Sequence, residues 1–222
     1  MELLTGLKER RSIRAYTPEP VPRDLVEKIL DNSRWSPSWG NTQPWELVVA
    51  GGETVKRLTA EMAERFAQKA PPTPDVPMPQ TFPDACRDRY MACAAGLFGA
   101  MGIAREEKGR RFEHMLNMTR AFGAPVIIYV LFSDDLQVPY TMFDLGAITH
   151  AIALAAHAHG LGTCLEAQLA LYPDLVRRHL NLPDTRKVVV GIALGHPDPE
   201  APANRFRTAR EPLEQFVTWV DL

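Results

Sequence analysis

Arginines cluster near the N-terminus in a pattern that suits anion binding. Arg10, Arg11 and Arg14 lie within five residues of one another, beside the hydroxyl of Ser12. Guanidinium groups donate paired hydrogen bonds to anionic oxygens, so this segment is suited to a phosphate. An arginine run that ends a helix is also commonly a solvated segment that complements the helix dipole, and the residues alone leave that alternative open.

A second basic pair, Arg205 and Arg207, lies near the other end of the chain. Side chains two residues apart on an extended segment point to the same side, so this pair could grip one anion together. Residues 36–45 form a different kind of candidate, because they combine hydroxyls, amides and two tryptophans in a turn with two prolines. Such a loop could cradle a planar heterocycle, with Ser38 and Asn41 as donors and Trp39 as a stacking wall. An ordinary strand-entry loop is the alternative.

Several other kinds of site lack their sequence signatures. There is no G-x-G-x-x-G, G-x-x-x-x-G-K-[ST], H-E-x-x-H or G-x-S-x-G. His150 and His157 share a helical face without a third ligand, so they are interpreted as ordinary helix histidines and no metal site is predicted. Cys164 lies among apolar residues and is interpreted as a small buried side chain rather than a nucleophile.

The composition is that of an ordinary globular protein, with 222 residues, 45% hydrophobic residues and a formal net charge of −2. Nucleic-acid affinity rests on many phosphate contacts, so this charge argues against such a partner. The three cysteines form no C-x-x-C pair, the N-terminus lacks a signal-peptide pattern and no apolar stretch is long enough to cross a bilayer. A cytoplasmic protein without a membrane partner is therefore expected.

Helices and strands that alternate along the chain must position these segments, and they suggest a sheet covered by helices on both faces. The strand at 125–132 is almost continuously apolar, as expected when both faces are covered. A break is predicted near Gly109. The predicted strands are 45–50, 125–132, 163–166 and 186–194, and the predicted helices are 2–9, 22–33, 53–69, 84–117, 142–159 and 172–180.

Six of the 19 prolines lie between residues 71 and 83. This density removes backbone donors, so it predicts an extended excursion that begins a lid over about 71–120. A linker between two domains is disfavoured because the preceding residues hold only one convincing strand, and one domain over 1–222 is expected. The helix at 142–159 is apolar almost all round, which indicates burial in a core or a subunit interface. The tail at about 196–222 is predicted to be extended or to wrap a partner.

Taken in order, these segments resemble the FMN-dependent nitroreductases. The family pattern comprises R-R-S-x-R near residue 10, S-P-S-x-x-N-x-Q-P-W before the first strand, D-x-G-A and G-L-G-T at the two ends of a long helix, and a basic pair before a P-L-E tail. All four occur here across essentially the whole chain, at 10–14, 36–45, 144–163 and 205–214. The proline-rich segment, followed by Arg87, Asp88 and Arg89, is most similar to the nitrobenzoate-reductase branch.

The resemblance implies a fold, a cofactor and roles for individual residues. The fold would be α+β, a three-layer α/β/α arrangement with a central mixed sheet, in an intertwined homodimer with FMN at the subunit interface. Arg14 would reach the pyrimidine edge of the flavin, and Leu165 or Glu166 would present a backbone N–H to flavin N5. The phosphate would be held by Arg10, Ser12, Arg205 and Arg207, with Arg11 acting through its backbone, and the second subunit would cover the ring with Pro37, Ser38, Trp39 and Asn41. A further contact to the pyrimidine edge stays open among Lys56, Arg57, Arg65 and Arg89.

The implied activity is a ping-pong oxidoreductase. NADH or NADPH would deliver hydride to the flavin and leave, and a small nitroaromatic acceptor would then be reduced at the same site. No protein side chain is assigned as catalytic, since the flavin carries the hydride. Alternatives on the same scaffold are quinone or enone reduction, reductive dehalogenation and flavin fragmentation. A non-enzymatic dimer that binds phosphorylated ligands is the alternative of a different class.

Overall fold

The computed structural model describes residues 2–222 and contains four strands and eight helices among them. Short 3₁₀ turns connect several of these elements. The strands are β1 (Glu46–Gly51), β2 (Val126–Ser133), β3 (Gly162–Glu166) and β4 (Arg186–Gly195). The helices are α1 (Leu3–Glu9), α2 (Arg23–Ser33), α3 (Gly52–Ala67), α4 (Asp84–Ala100), α5 (Lys108–Thr119), α6 (Val138–Ala158), α7 (Pro173–Leu180) and α8 (Pro202–Arg205).

The four strands form one sheet in the order β1-β2-β4-β3, and every neighbouring pair is antiparallel. The only parallel pairing among residues 2–222 is an isolated bridge between Ser12 and Thr163. The predicted α+β fold class is confirmed, but the mixed character expected of the sheet rests on this bridge alone. β2 and β3 run in the same direction and β1 and β4 run in the opposite one, so the order β1-β2-β4-β3 places each strand beside antiparallel neighbours.

Helices cover both faces of the sheet, so the three-layer arrangement is confirmed. On one face, α3 and α7 pack Leu58, Met62 and Leu175 against the sheet. On the other face, α2 and α6 contribute Ile29 and Ile152 to a second cluster. The central strand β2 is buried along almost its whole length, as its continuous apolar run predicts. No helix among residues 2–222 is both long enough and apolar enough to cross a membrane.

Two predicted boundaries in the helical regions were wrong. α6 begins at Val138, four residues before the predicted start, because Pro139 suits the first turn of a helix. The break between α4 and α5 falls at 101–107, whereas Gly109 lies inside α5. Glu107 closes this break, since its carboxylate accepts the Ala104 N–H at 2.7 Å. α4 ends in a backbone cap, because Gly102 has a positive φ of 61° and the Ile103 N–H donates to the Phe98 carbonyl at 2.9 Å.

Residues 71–83 contain no helix or strand, as the prolines predict. The beginning of this segment is nevertheless fixed. Asp75 forms an ion pair with Arg177 at 2.6 Å and also accepts the Val188 N–H at 2.8 Å. The Tyr172 hydroxyl donates to the Ala70 carbonyl at 2.9 Å. The start of the predicted lid is therefore anchored to α7 and β4.

Candidate active site

The arginine segment, Arg10–Arg14, runs along the open edge of the sheet. Ser12 bridges to Thr163 in the edge strand β3, and the Ile13 N–H donates to the Thr163 carbonyl at 2.9 Å. Gly162 permits this approach, because a Cβ at that position would lie 2.5 Å from Ile13 Cγ1. The second glycine of the G-L-G-T segment is thus required by close packing, and it lets the arginine segment lie directly beside β3.

Asn204 joins the two ends of the chain at this edge. It is 3% exposed, and its Oδ1 accepts the Arg14 N–H at 2.6 Å. Its Nδ2 donates to the carbonyls of Ala15 and Asp198, and its own carbonyl accepts from Arg11 Nε at 2.8 Å. This hydrogen-bonded clamp holds the C-terminal segment against the arginine segment, although the two are almost a full chain length apart in sequence.

A cavity of about 200 Å³ lies beside the arginine segment and is lined by Arg10, Arg11, His157 and Thr163, among others. The Nε2 atom of His157 is buried and has no hydrogen-bond partner in the described part of the chain. The interpretation of His157 as an ordinary helix histidine is therefore incomplete. The ring of His157 forms part of the cavity wall, but this nitrogen has almost no exposed surface.

Positive charge accumulates around this cavity. Burial lowers the pKa of His157, Glu9 opposes that effect, and nearby guanidinium groups lower the pKa further. Burial also lowers the pKa of Arg10, and the like charge of Arg210 adds to that effect. An anion in the cavity would relieve this repulsion, which suits the site to a phosphate. The cations that act on His157 are Arg10, Arg11 and Arg207.

Arg205 and Arg207 do not grip a common anion from an extended segment, so that expectation is corrected. Residues 202–205 form α8, since Pro202 favours a first helical turn. Arg205 ends this helix, pairs with Glu200 at 3.2 Å and has a side chain that is 64% exposed. Arg207 instead lies close enough to His157 to affect its pKa. The structure therefore brings only Arg207 of this pair to the arginine segment.

The loop at 36–45 is held by α6. Both carboxylate oxygens of Asp144 accept the Trp39 N–H at 3.1 Å, and Asp144 is 3% exposed. The Ser38 hydroxyl accepts the Gln43 N–H at 2.9 Å, which closes the turn. Across residues 2–222, no hydrogen bond or ion pair links this loop to the arginine segment of the same chain. The four residues predicted to cover a ring, Pro37, Ser38, Trp39 and Asn41, all lie in this loop, and Trp39 is 65% exposed.

Strand β3 presents different groups to its edge and to its two faces. The side chain of Leu165 is 41% exposed, whereas Cys164 and Glu166 are buried, so the burial expected for Cys164 is confirmed. The backbone N–H and C=O of a residue in an antiparallel strand point to the same side, and this side alternates along the strand. Because the Thr163 carbonyl bonds outward to Ile13, the Leu165 backbone also faces the open edge.

The sequence offered four cations for a further contact to the ring, and of these Arg89 lies near Arg207 and Arg210. It lines a groove of about 1070 Å³ together with Arg207 and Arg210. The other three, Lys56, Arg57 and Arg65, lie on α3. Two of those are engaged elsewhere, Lys56 with Glu53 at 2.6 Å and Arg65 with Asp174 at 2.7 Å.

Sequence comparison decides which family has this arrangement. The model of a family described as "Nitroreductase family" matches residues 7–196. The chain belongs to the nitroreductase family. It is 33% identical to a nitrobenzene nitroreductase of Ectopseudomonas oleovorans, over 96% of this chain and 95% of that protein. It is 32% identical to a 4-nitrobenzoate reductase of Pseudomonas putida, over 98% and 97% of the two chains.

Solved structures agree with this assignment to the nitroreductases. A crystal structure of an FMN- and NADPH-dependent nitroreductase from sphigopyxis sp. strain HMH superposes with a TM-score of 0.96 and 31% identity, covering 100% of both chains. A Mycobacterium smegmatis nitroreductase, solved in complex with NADPH, superposes with a TM-score of 0.92 at 28% identity, covering 99% of this chain and 100% of that one. The fold of this nitroreductase is therefore shared over its whole length.

Three residues that shape the site of this nitroreductase were not singled out as site residues from its sequence. Asn204 lies between Ala203 and Arg205 and carries no distinctive pattern. His157 was noticed, but its isolation from hydrogen-bond partners becomes visible only when α6 packs beside the arginine segment. Asp144 belongs to the D-x-G-A motif, from which only the start of a helix was predicted. The hydrogen bond from the Trp39 N–H to its carboxylate was not predicted.

Proposed function

We propose that this nitroreductase is an FMN-dependent NAD(P)H oxidoreductase that reduces small nitroaromatic compounds. The observation that carries the proposal is that three segments meet at one place. The Ser12–Thr163 bridge joins the arginine segment to the open edge of β3, and Asn204 joins the C-terminal segment to the arginine segment. The related proteins include a nitrobenzene nitroreductase and a 4-nitrobenzoate reductase, which supports the choice of acceptor. Solved relatives described as FMN- and NADPH-dependent support the choice of cofactor and reductant.

The residues present fit the phosphate of FMN. The half-buried guanidinium of Arg10 lines one cavity together with Arg11, His157 and Glu9. Arg207 lies nearby, where its guanidinium donates to the Lys8 carbonyl at 3.5 Å. Arg10, Ser12 and Arg207 would hold the phosphate. Arg11 would contribute through its backbone, because its Nε already donates to Asn204. Arg205 would join only if it left its ion pair with Glu200.

The open edge of β3 fits the ring of the cofactor. Bound FMN supplies a ring that accepts hydride from the nicotinamide and passes reducing equivalents to the acceptor. Arg14 would provide positive charge at the pyrimidine edge, and its guanidinium makes only one long hydrogen bond, to the Ser12 carbonyl at 3.4 Å. The outward-facing backbone of Leu165 would offer an N–H toward N5, with Glu166 following it in β3. Arg89 is the candidate for the remaining edge contact.

The site also implies a homodimer. The loop at 36–45 makes no polar contact with the arginine segment of its own chain, so Pro37, Ser38, Trp39 and Asn41 would cover the ring bound by a second copy. The outward face of α6 supports this arrangement, because Phe143 and Tyr140 are 77% and 65% exposed. The tail at about 196–222 would wrap the partner, and it exposes the apolar side chains of Leu213, Phe216, Trp219, Val220 and Leu222.

The remaining assignments concern the whole chain. It would act as one domain in the cytoplasm, where the three free cysteines, Cys86, Cys93 and Cys164, suit a reducing compartment. The region at about 71–120 would act as a lid over the acceptor. Because Asp75 anchors its start, α4 and α5 would form the part that bounds the acceptor. Light scattering after size-exclusion chromatography is expected to give a dimer mass, and a monomer at every concentration would contradict the shared site.

The central experiment tests cofactor and reaction together. The purified protein is expected to bind one FMN per chain and to oxidise NADPH or NADH when 4-nitrobenzoate is present. A quinone and a halogenated phenol, assayed in parallel, test the alternative acceptors. Arg10→Ala is expected to weaken FMN binding by about tenfold or more, because a charge-assisted hydrogen bond is lost. Arg23→Ala, a change in an exposed ion pair on α2, is the matched control. A protein that does not take up FMN would overturn the proposal.

A further inference from the structure

The carboxyl group of Glu166 is buried behind the edge of β3 and lacks any partner. The residue is 2% exposed, and neither carboxyl oxygen has a hydrogen-bond partner in the described structure. Alternation along β3 places Glu166 on the same face as Cys164, where the buried hydroxyl of Tyr129 is also without a partner. An isolated carboxylate in such surroundings is very unfavourable, whereas a neutral acid is tolerated.

One cation shares this pocket with Glu166 without pairing to it. Arg14 is the only charged group that shifts the pKa of Glu166 toward the ionised form, and the other titratable groups that face the carboxyl are Tyr16, Tyr129 and Cys164. No ion pair within 4.0 Å connects Glu166 with Arg14 or any other cation described in the structure. The pairing of Ser12 and Ile13 with Thr163 places the following residue, Arg14, alongside the end of β3, and its guanidinium forms no ion pair with Glu166.

Burial determines the charge state of this group. It raises the pKa of Glu166 well above its usual value of 4.5, and Arg14 offsets this only in part. The same surroundings raise the pKa of Cys164 to about 12, again through burial first and then through Glu166. The face of the sheet behind the arginine segment thus disfavours negative charge, and burial favours the protonated form of Glu166.

We propose that Glu166 is a positioning residue, a neutral carboxylic acid that leaves the Arg14 guanidinium free to bind the electron-rich edge of a ligand on β3. This inference rests on the proposed function for the identity of that ligand, FMN. An ionised Glu166 would compete with the ligand for Arg14, since a carboxylate and a guanidinium attract each other strongly at low dielectric. Binding of FMN should therefore weaken once the pH is high enough to ionise Glu166.

The first test examines the charge state without any flavin. Infrared difference spectra between the flavin-free protein and its Glu166→Gln variant are expected to show the carbonyl stretch of a protonated carboxylic acid that shifts in D₂O. A carboxylate band in its place at neutral pH would overturn the proposal. Glutamine has the shape of the neutral acid, so this variant is expected to fold, and its thermal unfolding provides the check.

The second test follows FMN binding by quenching of flavin fluorescence between pH 6 and pH 9.5. At a pH where the infrared spectra show Glu166 to be ionised, the FMN affinity of the wild-type protein is expected to be about tenfold or more below that of Glu166→Gln. His157 and the flavin itself titrate in both proteins, so only the difference between the profiles reports Glu166. Glu27→Gln, on the exposed face of α2, should retain the unchanged profile.

The possible failures are distinguishable. If the wild-type protein and Glu166→Gln both bind FMN and their affinities change with pH in parallel, the role of Glu166 is overturned and the proposed function remains intact. No FMN binding by either protein at any pH would overturn the proposed function and, with it, the ligand named in this inference. The infrared result would still identify the charge state of Glu166 in that case.

Discussion

The two faces of the sheet bury different kinds of side chain. β2 directs Ile128 and Val130 toward α2 and α6, and it directs Tyr129 toward α3 and α7. On the side of α2 and α6, the buried polar side chains of Ser33, Thr141 and Asp144 all have hydrogen-bond partners. On the α3/α7 face, the Tyr129 hydroxyl and the Glu166 carboxyl are buried without hydrogen-bond partners.

This difference in buried polar groups indicates that one face of the sheet contributes mainly to stability and the other mainly to the proposed site. Each buried polar group without a partner costs roughly 1–3 kcal/mol, so the α3/α7 face is the less favourable of the two. That face lies behind the arginine segment and the edge of β3, where Arg14 and Glu166 share a pocket. The α2/α6 face stabilises the fold, whereas the α3/α7 face sets the electrostatics of the proposed cofactor site.

The largest effect is expected on the α2/α6 face. Ile128 is fully buried, so Ile128→Ala should lower the free energy of unfolding by about 4 kcal/mol through lost burial and a cavity. Urea denaturation measures the loss, and FMN affinity should not change. Val49→Ala, at a position that is 44% exposed on β1, should have less than about 0.5 kcal/mol of effect. Equal losses at both positions would contradict the assignment of the core.

A second large effect is expected at the anchor of the proline-rich segment, on the α3/α7 side of the sheet. Asp75→Asn should cost about 3 kcal/mol in the free energy of unfolding, because the shielded guanidinium of Arg177 loses its charged partner. Asp84→Asn, in an exposed pair with Arg87, should cost less than about 1 kcal/mol. If the two variants unfold at the same urea concentration, residues 71–83 are not held by Asp75.

A smaller effect concerns the dependence of stability on pH. Between its usual pKa of 4.5 and the raised value in the folded protein, Glu166 keeps its proton only when folded. The folded state then binds more protons, so stability should fall as the pH rises through this window, by at most about 1.4 kcal/mol per pH unit. Thermal unfolding of Glu166→Gln at a series of pH values should lack this decline. A decline of equal slope in both proteins would assign it to other groups.

The smallest expected effect compares two tyrosines on one face of the sheet. Removing their hydroxyl groups should change the free energy of unfolding in opposite directions. Tyr129→Phe removes a buried hydroxyl without a partner and should raise the free energy of unfolding by about 1 kcal/mol. Tyr16→Phe removes a hydroxyl that donates to the Ile13 carbonyl at 3.0 Å and should lower it by about 1 kcal/mol. Destabilisation by Tyr129→Phe would show that its hydroxyl is bonded in solution.

Local patterns predicted most elements of the fold because they depend on neighbouring residues. The apolar run of β2 and the helical periodicity of α2 gave boundaries within one or two residues of those in the structure. The break between α4 and α5 was misplaced because the glycine that ends α4 is Gly102, with a positive φ of 61°, whereas Gly109 lies inside α5. Arg205 was misplaced because one turn of helix after Pro202 is too short to leave a periodic signal.

The candidate site was predictable in composition but not in geometry. The sequence determined the residue types, namely arginines for an anion, a rigid loop for a ring and an apolar helix for a core or interface. The tertiary structure decided that Asn204 clamps the arginine segment, that Arg205 turns away toward Glu200 and that Glu166 lies buried beside an unpaired Arg14. The physical reason is that charge state and hydrogen-bond satisfaction depend on burial, which long-range packing creates.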